Sequence, residues 1–243
     1  MVTFIALSSA NRSEKVQQLV GDLPFSPFNM SSYDSIFLYH ARKAGGSTMR
    51  RWLRRVANKH NLTLKVQEGY PLQESDFHNK SRTLYITTLR DPVERAISSY
   101  YFEGQWLEAG KNRTKESAIG FKTWTEIVNI KPRGRLLWHC ASDCYCKWFG
   151  SSGEGGVWNR NVTNAMERLK HFDMVLQTER LKEKNYTANL QILLSTKEIP
   201  IGHSNAKRAA WNAYEVTESD LAFLEEINQN DRVLYAAVFG LTT

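Results

Sequence analysis

Two short apolar runs, each passing directly into a loop and then a helix signal, constrain this chain more than any other feature. Ser35-Ile-Phe-Leu-Tyr-His40 leads into Ala41-Arg-Lys-Ala-Gly-Gly-Ser-Thr48, after which Met49, Trp52, Leu53 and Val56 recur at i, i+3, i+4 and i+7. That spacing predicts a buried strand, a loop, and a helix beginning near Thr48. Thr83-Leu-Tyr-Ile-Thr-Thr-Leu89 repeats the pattern: a β-rich run that stops at Arg90-Asp-Pro-Val-Glu94. Asp91 suits an N-cap, Pro92 suits N1, and Glu94 at N3 is placed to close a capping box, so a helix is predicted from there through Tyr101.

Thr63–Gln67 and Phe172–Gln177 read as further strands. A short helix is expected over Leu72–His78, and longer ones over about 186–195 and 217–229, the last opened by Thr217-Glu-Ser-Asp220. Strands alternating with helices require parallel crossovers, so the fold class is α/β: three layers, α/β/α, around a central parallel sheet. Residues 1–34 read as a polar, irregular lead-in, and 35–243 as one domain with insertions around 104–160. The 243 residues bury enough surface for a single large core.

The first loop is built for an anion. Glycines let the backbone approach closely, and a helix N-terminus carries about half a positive charge. Lys43 adds a full charge, and Ser47 and Thr48 add hydroxyl donors. It is not a Walker A loop, in which the lysine directly precedes the Ser/Thr, so nucleotide kinase or NTPase chemistry is disfavoured. In an open parallel sheet, ligands bind beyond the carboxyl ends of the strands. Lys43 and Arg90 both fall there, with Ser98 eight residues further along the second helix. Two cationic loops at one edge suit a ligand with two separated phosphate groups. The formal charge of +7 agrees with an anionic partner.

Tyr39-His-Ala-Arg-Lys-Ala-Gly-Gly-Ser-Thr48 resembles the 5′-phosphosulfate loop of PAPS-dependent sulfotransferases. Leu89-Arg-Asp-Pro-Val-Glu-Arg-Ala-Ile-Ser-Ser-Tyr-Tyr101 resembles their 3′-phosphate loop. The likeness is greatest to Golgi carbohydrate enzymes, the heparan sulfate 2-O- and 6-O-sulfotransferases. It extends through Cys140–Cys144, similar to a small cysteine loop, and Phe172–Glu179, similar to a late strand. His203–Asn205 and Asn230–Tyr235 are similar to the family's C-terminal segment.

The resemblance implies a P-loop-like sulfotransferase fold with PAPS (3′-phosphoadenosine 5′-phosphosulfate) as donor and adenosine 3′,5′-bisphosphate as product. It implies no metal and no nucleic-acid partner. Lys43, Ala44, Gly45, Gly46, Ser47 and Thr48 would cradle the 5′-phosphosulfate. Arg90 and Ser98 would hold the 3′-phosphate, and Lys207 and Arg208 would belong to a late loop closing over the nucleotide. The acceptor would be a hydroxyl on a carbohydrate or a small molecule. A non-catalytic polyanion-binding module is the competing reading of the same basic surface.

Hydroxyl attack needs a general base. His78 precedes a strand of about 23 Å at roughly 3.3 Å per residue, which puts it near the wrong end of the sheet. Glu68, just after the preceding strand, should return to the cofactor edge. By order along the chain it stands about where heparan sulfate 2-O-sulfotransferases place their base. Glu68 is therefore the expected base, with His78 in reserve, and His40 could line the site.

On the acceptor side, Arg50, Arg51, Arg54 and Arg55 share one flank of the first helix. They read as a solvated face that could attract an anionic glycan. Trp106, Trp124, Trp138, Trp148 and Trp158 could stack on sugars or belong to the core.

Three cysteines, Cys140, Cys144 and Cys146, fall within seven residues. This crowding disfavours a zinc site, leaving one local disulfide with a free thiol, or three free thiols. Seven N-x-[ST] triplets begin at Asn11, Asn29, Asn61, Asn79, Asn112, Asn161 and Asn185. Chance would give roughly two at ordinary Ser/Thr usage. The excess points to the secretory pathway, and the resemblance implies its Golgi lumen, with the cytoplasm as the alternative. No apolar run approaches the ~20 residues of a membrane span, so no anchor is read in this chain.

Overall fold

A computed structural model describes residues 3–6, 18–20, 26–68, 70–104, 119–130, 140–151, 160–201 and 215–241. Four parallel strands form the centre: β3 (Ser35–His40), β4 (Thr63–Glu68), β5 (Thr83–Leu89) and β6 (Met174–Gln177), in the spatial order β6-β5-β3-β4. Register aligns their ends, with Tyr39 beside both Gln67 and Thr87, and His40 beside Glu68.

The predicted strands are present. The irregular lead-in is not irregular throughout. Thr3–Ala6 (β1) and Gln18–Val20 (β2) pair antiparallel, and β1 adds antiparallel to β6. These strands are four and three residues long, too short to show a period of two, and the pairing that fixes them comes from β6, about 170 residues later.

Alternation along the strands divides the core. Phe37, Tyr39, Tyr85 and Val175 face α4 (Cys144–Gly150), α5 (Val162–Leu169) and α8 (Gln229–Phe239). Ile36, Leu38, Leu84, Ile86 and Leu176 face the other way, onto α1 (Gly46–His60) and α6 (Lys184–Leu193). This is the three-layer α/β/α arrangement. A smaller cluster joins α2 (Pro92–Ser99), α3 (Phe121–Ile130) and α7 (Glu218–Ile227) through Ala96, Tyr100, Phe121, Trp124 and Leu224.

Several local expectations need correction. Helix α2 ends at Ser99 and continues as a π-helical turn over Tyr100–Gly104. The short helix expected over 72–78 is a 3-10 turn, Glu74–Phe77. The helix expected over 217–229 opens at Thr217 as predicted, with a Thr217/Asp220 capping box, but stops at Ile227. Asn228 is fully buried there: its Nδ2 donates to the Leu224 carbonyl at 2.9 Å and its Oδ1 accepts the Asp143 amide at 3.1 Å. The chain then restarts as α8. Trp124 and Trp148 are core residues, 0% and 1% exposed. Trp106, Trp138 and Trp158 lie outside the described residues.

Cys140 and Cys144 form a disulfide, and Cys146 is a buried free thiol. Beside them two helices cap each other. Asp231 of α8 accepts the Tyr145 and Cys146 amides at 2.9 and 2.8 Å, satisfying the start of α4. Asp143, preceding α4, accepts the Asn230 and Asp231 amides at 3.1 and 3.2 Å, satisfying the start of α8.

Asp231→Ala strands two buried amides and is expected to cost about 2–4 kcal/mol. Thr217→Ala, at an exposed cap, should cost only about 1 kcal/mol. Urea unfolding of the two variants checks the ranking, and equal costs would refute the exchange of caps as a major support.

Candidate nucleotide-binding site

The loop after β3 turns by means of two left-handed residues, Lys43 (φ 65°) and Gly45 (φ 78°). A side chain strains at such a φ, so Lys43 is held there by its surroundings. The Ala44 carbonyl accepts the Thr178 hydroxyl at 2.9 Å and also the Thr88 hydroxyl, tying the loop to the ends of β6 and β5. Lys43 Nζ sits 3.7 Å from the centroid of the Phe102 ring.

Helix α1 starts at Gly46 with no acidic residue in its first turn. Among the described residues, no carboxylate therefore offsets the positive end of the helix from within that turn. Gly46 is packed directly on His40: a Cβ at 46 would lie 1.5 Å from His40 Cδ2. The loop's shape is thus a cradle that only glycine permits.

The loop after β5 reaches the same edge, one strand away from β3. Asp91 caps α2, its Oδ1 accepting the Val93 and Glu94 amides at 3.0 Å each. The expected capping box does not close. The Asp91 amide, which Glu94 was to bind, instead donates to Glu179 Oε1 at 2.8 Å. Glu94 is left to pair with Arg90 at 2.9 Å. Ser98 lies half-buried on α2, and Arg90 remains 27% exposed at the side chain.

Glu68 returns to this edge at the end of β4, as expected. What the sequence did not reveal is its company. His40 Nδ1 lies 3.1 Å from Glu68 Oε2, Arg42 donates to Oε1 at 3.0 Å, and Arg50 donates to Oε2 at 3.0 Å. Burial alone would raise the Glu68 carboxyl, but the hydrogen bond and charge of His40 and the two guanidinium charges outweigh it and hold the group below the usual 4.5.

The folded value is depressed, so this contribution to stability is fully present above 4.5 and is lost as pH falls through the lower folded value. The alignment of β3 with β4 brings the four groups together, a contact invisible in chain spacing.

His78 ends the turn that leads back toward the start of β5. It is exposed, and its Nδ1 lies 2.7 Å from the Ser75 carbonyl. Of the basic flank on α1, Arg50 is committed to Glu68, Arg55 to the Pro200 carbonyl, and Lys59 to Ser195 and Glu198. Arg51 and Arg54 are exposed. Lys207, Arg208 and the 203–205 segment lie outside the described residues.

Arg95 was missed by sequence reasoning, its place on α2 giving no signal of burial. It is 1% exposed, with its guanidinium 5.6 Å from the ring centroids of both Tyr145 and Trp148.

The site therefore offers a glycine cradle, a lysine, a helix N-terminus and an arginine along neighbouring strand ends. That donor set fits an extended anion carrying two phosphate groups. A family model described as "Sulfotransferase family" matches residues 26–236 of the chain. Comparison with curated proteins returned no match.

Proposed function

The chain belongs to the sulfotransferase family and is a sulfotransferase enzyme; from that premise we propose that PAPS is its donor and a carbohydrate hydroxyl its acceptor. The observation that carries the donor assignment is the pairing of the Lys43 and Arg90 loops on the ends of adjacent strands, with Gly46 packed so closely that a Cβ cannot enter.

When bound, PAPS supplies an activated sulfuryl group that an aligned acceptor oxygen can take. The 43–48 loop would hold the 5′ end through the Gly45, Gly46 and Ser47 amides and the Ser47 and Thr48 hydroxyls, the Ala44 and Thr48 amides being engaged within the loop. Lys43 brings its ammonium to the charge that gathers on the departing nucleotide. Arg90 and Ser98 hold the 3′-phosphate, and Arg90 exchanges its exposed partner Glu94 for that anion. Lys207 and Arg208 would close over the nucleotide.

Glu68 is the better choice of base than His78. It ends a strand at the loop-bearing edge, and to take a proton it would release a contact with His40, Arg42 or Arg50; His78 instead follows the turn toward the opposite rim. Glu68→Gln is expected to cut turnover ~10²-fold or more. Affinity for adenosine 3′,5′-bisphosphate should stay within about threefold. A variant whose rate retains the wild-type rise with pH on the acid side removes Glu68 from proton abstraction.

The function as a whole is tested by incubating the protein with sulfur-labelled PAPS and a panel of glycans and small hydroxyl compounds. Label on a glycan supports the reading. Label confined to small molecules replaces the acceptor class, and no transfer to any acceptor counts against the donor.

A secretory-pathway location is part of this proposal. Its support is the excess of sequons and where the described ones fall. Asn29 and Asn61 are exposed and Asn79 half-buried, shortly before β3, β4 and β5 respectively, while Asn161 caps α5 and Asn185 is exposed in the first turn of α6. Glycans on Asn29, Asn61 and Asn79 would stand on the rim opposite the phosphate loops. Protein made in secreting animal cells is expected to lose mass on treatment with peptide N-glycosidase F, and an unchanged mass removes the lumenal reading.

A further inference from the structure

At the end of β5 the sheet ladder runs out. Leu89 is the last residue paired with β6, opposite Gln177. The next two amides, of Arg90 and Asp91, need acceptors from elsewhere, and two distant segments provide them. The Arg90 N–H donates to the Tyr145 hydroxyl at 2.8 Å, and that hydroxyl donates back to the Arg90 carbonyl at 3.0 Å. The Asp91 N–H donates to Glu179 Oε1. Glu179 Oε2 accepts the Tyr235 hydroxyl at 2.9 Å, and Tyr235 accepts from Gln177 Nε2 at 2.8 Å.

Tyr145 and Tyr235 are buried, 0% and 5% exposed. Burial raises both phenols, so each keeps its proton and remains a donor at any working pH. The Arg90 guanidinium, by contrast, pairs with Glu94, whose side chain is 56% exposed, through a contact that solvent can replace. The aim of Arg90 is therefore set by its backbone, and its backbone is set by Tyr145 and Glu179.

We propose that Tyr145 and Glu179 are positioning residues for the 3′-phosphate loop, clamping two consecutive peptides so that Arg90 and the start of α2 meet the nucleotide in one geometry. The proposal deepens the assignment of Arg90 made above and rests on it. Preorganised donors lose less ordering entropy on binding, so the clamp acts on donor affinity and leaves acceptor recognition alone. It also gives a role to Glu179, after the late strand, and to Tyr235 in the C-terminal segment.

The test is calorimetry with adenosine 3′,5′-bisphosphate alongside steady-state kinetics. Tyr145→Phe keeps the ring and removes both hydrogen bonds. Its dissociation constant for the nucleotide should rise roughly tenfold, with the acceptor KM within about twofold of wild type. Glu179→Gln keeps an acceptor for the Asp91 amide and should hold wild-type affinity, whereas Glu179→Leu should lose affinity as Tyr145→Phe does. A purely structural role would not separate donor affinity from acceptor KM.

Should Tyr145→Phe fail to fold, the Glu179 pair decides alone. If the wild-type protein binds and the variants bind equally well, the clamp is overturned while the nucleotide reading stands. A wild-type protein that binds no adenosine 3′,5′-bisphosphate overturns both.

Discussion

Gly46→Ala is expected to abolish binding of adenosine 3′,5′-bisphosphate and sulfuryl transfer while the sheet remains folded. The added Cβ would lie 1.5 Å from His40 Cδ2 and 1.9 Å from Nε2, far inside contact distance. His40 cannot swing aside cheaply, since its side chain is 8% exposed and Nδ1 is held by Glu68. The loop must move instead. Overpacking of this kind costs about 1–3 kcal/mol in stability. A shift of about 1 Å in positioning groups costs ~10²-fold in rate.

Calorimetry and a labelled-donor assay measure both losses. The double variant His40→Ala/Gly46→Ala vacates the space and should regain part of the affinity. Wild-type binding by the single variant would show that the close approach is dispensable.

Lys43→Ala and Lys43→Gly are expected to be equally inactive and unequally stable. Both remove the ammonium proposed above to meet the leaving nucleotide, an expected loss of ~10²–10³-fold in turnover by analogy with single oxyanion donors. Both also remove the contact with Phe102. They differ in the backbone. Residue 43 sits at φ 65°, where a Cβ costs roughly 1–2 kcal/mol and glycine pays no steric penalty. After allowance for the looser unfolded chain, the glycine variant should be about 1 kcal/mol more stable than the alanine variant. Thermal unfolding and turnover on the same preparations check this. Equal stability would mean the loop relaxes out of the left-handed region once the lysine is gone, and residual turnover near wild type would remove Lys43 from the chemistry.

The parts of this fold legible in the sequence were those whose signal is local. β5 reads from Thr83 to Leu89 because a central strand buried on both faces leaves an unbroken apolar and β-branched run. Helix α1 reads from its stripe of Met49, Trp52, Leu53 and Val56, and the glycine loop from its place between the two. Asp91 and Pro92 announce a helix start wherever they occur.

What stayed hidden depends on register and tertiary contact. Nothing near Glu68 in the chain shows that His40, Arg42 and Arg50 converge on it, because parallel pairing of β3 with β4 creates that cluster. The Glu94 capping box was a sound local expectation that failed because Glu179, 85 positions further along, had already taken the Asp91 amide. The break between α7 and α8 depends on Asn228 reaching Asp143. Trp124 and Trp148 looked the same to composition whether they stacked on sugars or filled the core.

The last helix has a bearing on when the enzyme becomes competent. Asp231 secures the start of α4, from which Tyr145 reaches Arg90, and Tyr235 secures Glu179. A chain still emerging from the ribosome displays both phosphate loops long before these groups exist to hold the second one. Because synthesis runs from the N- to the C-terminus, the loop after β5 is among the last features of this fold to be fixed, waiting on α8.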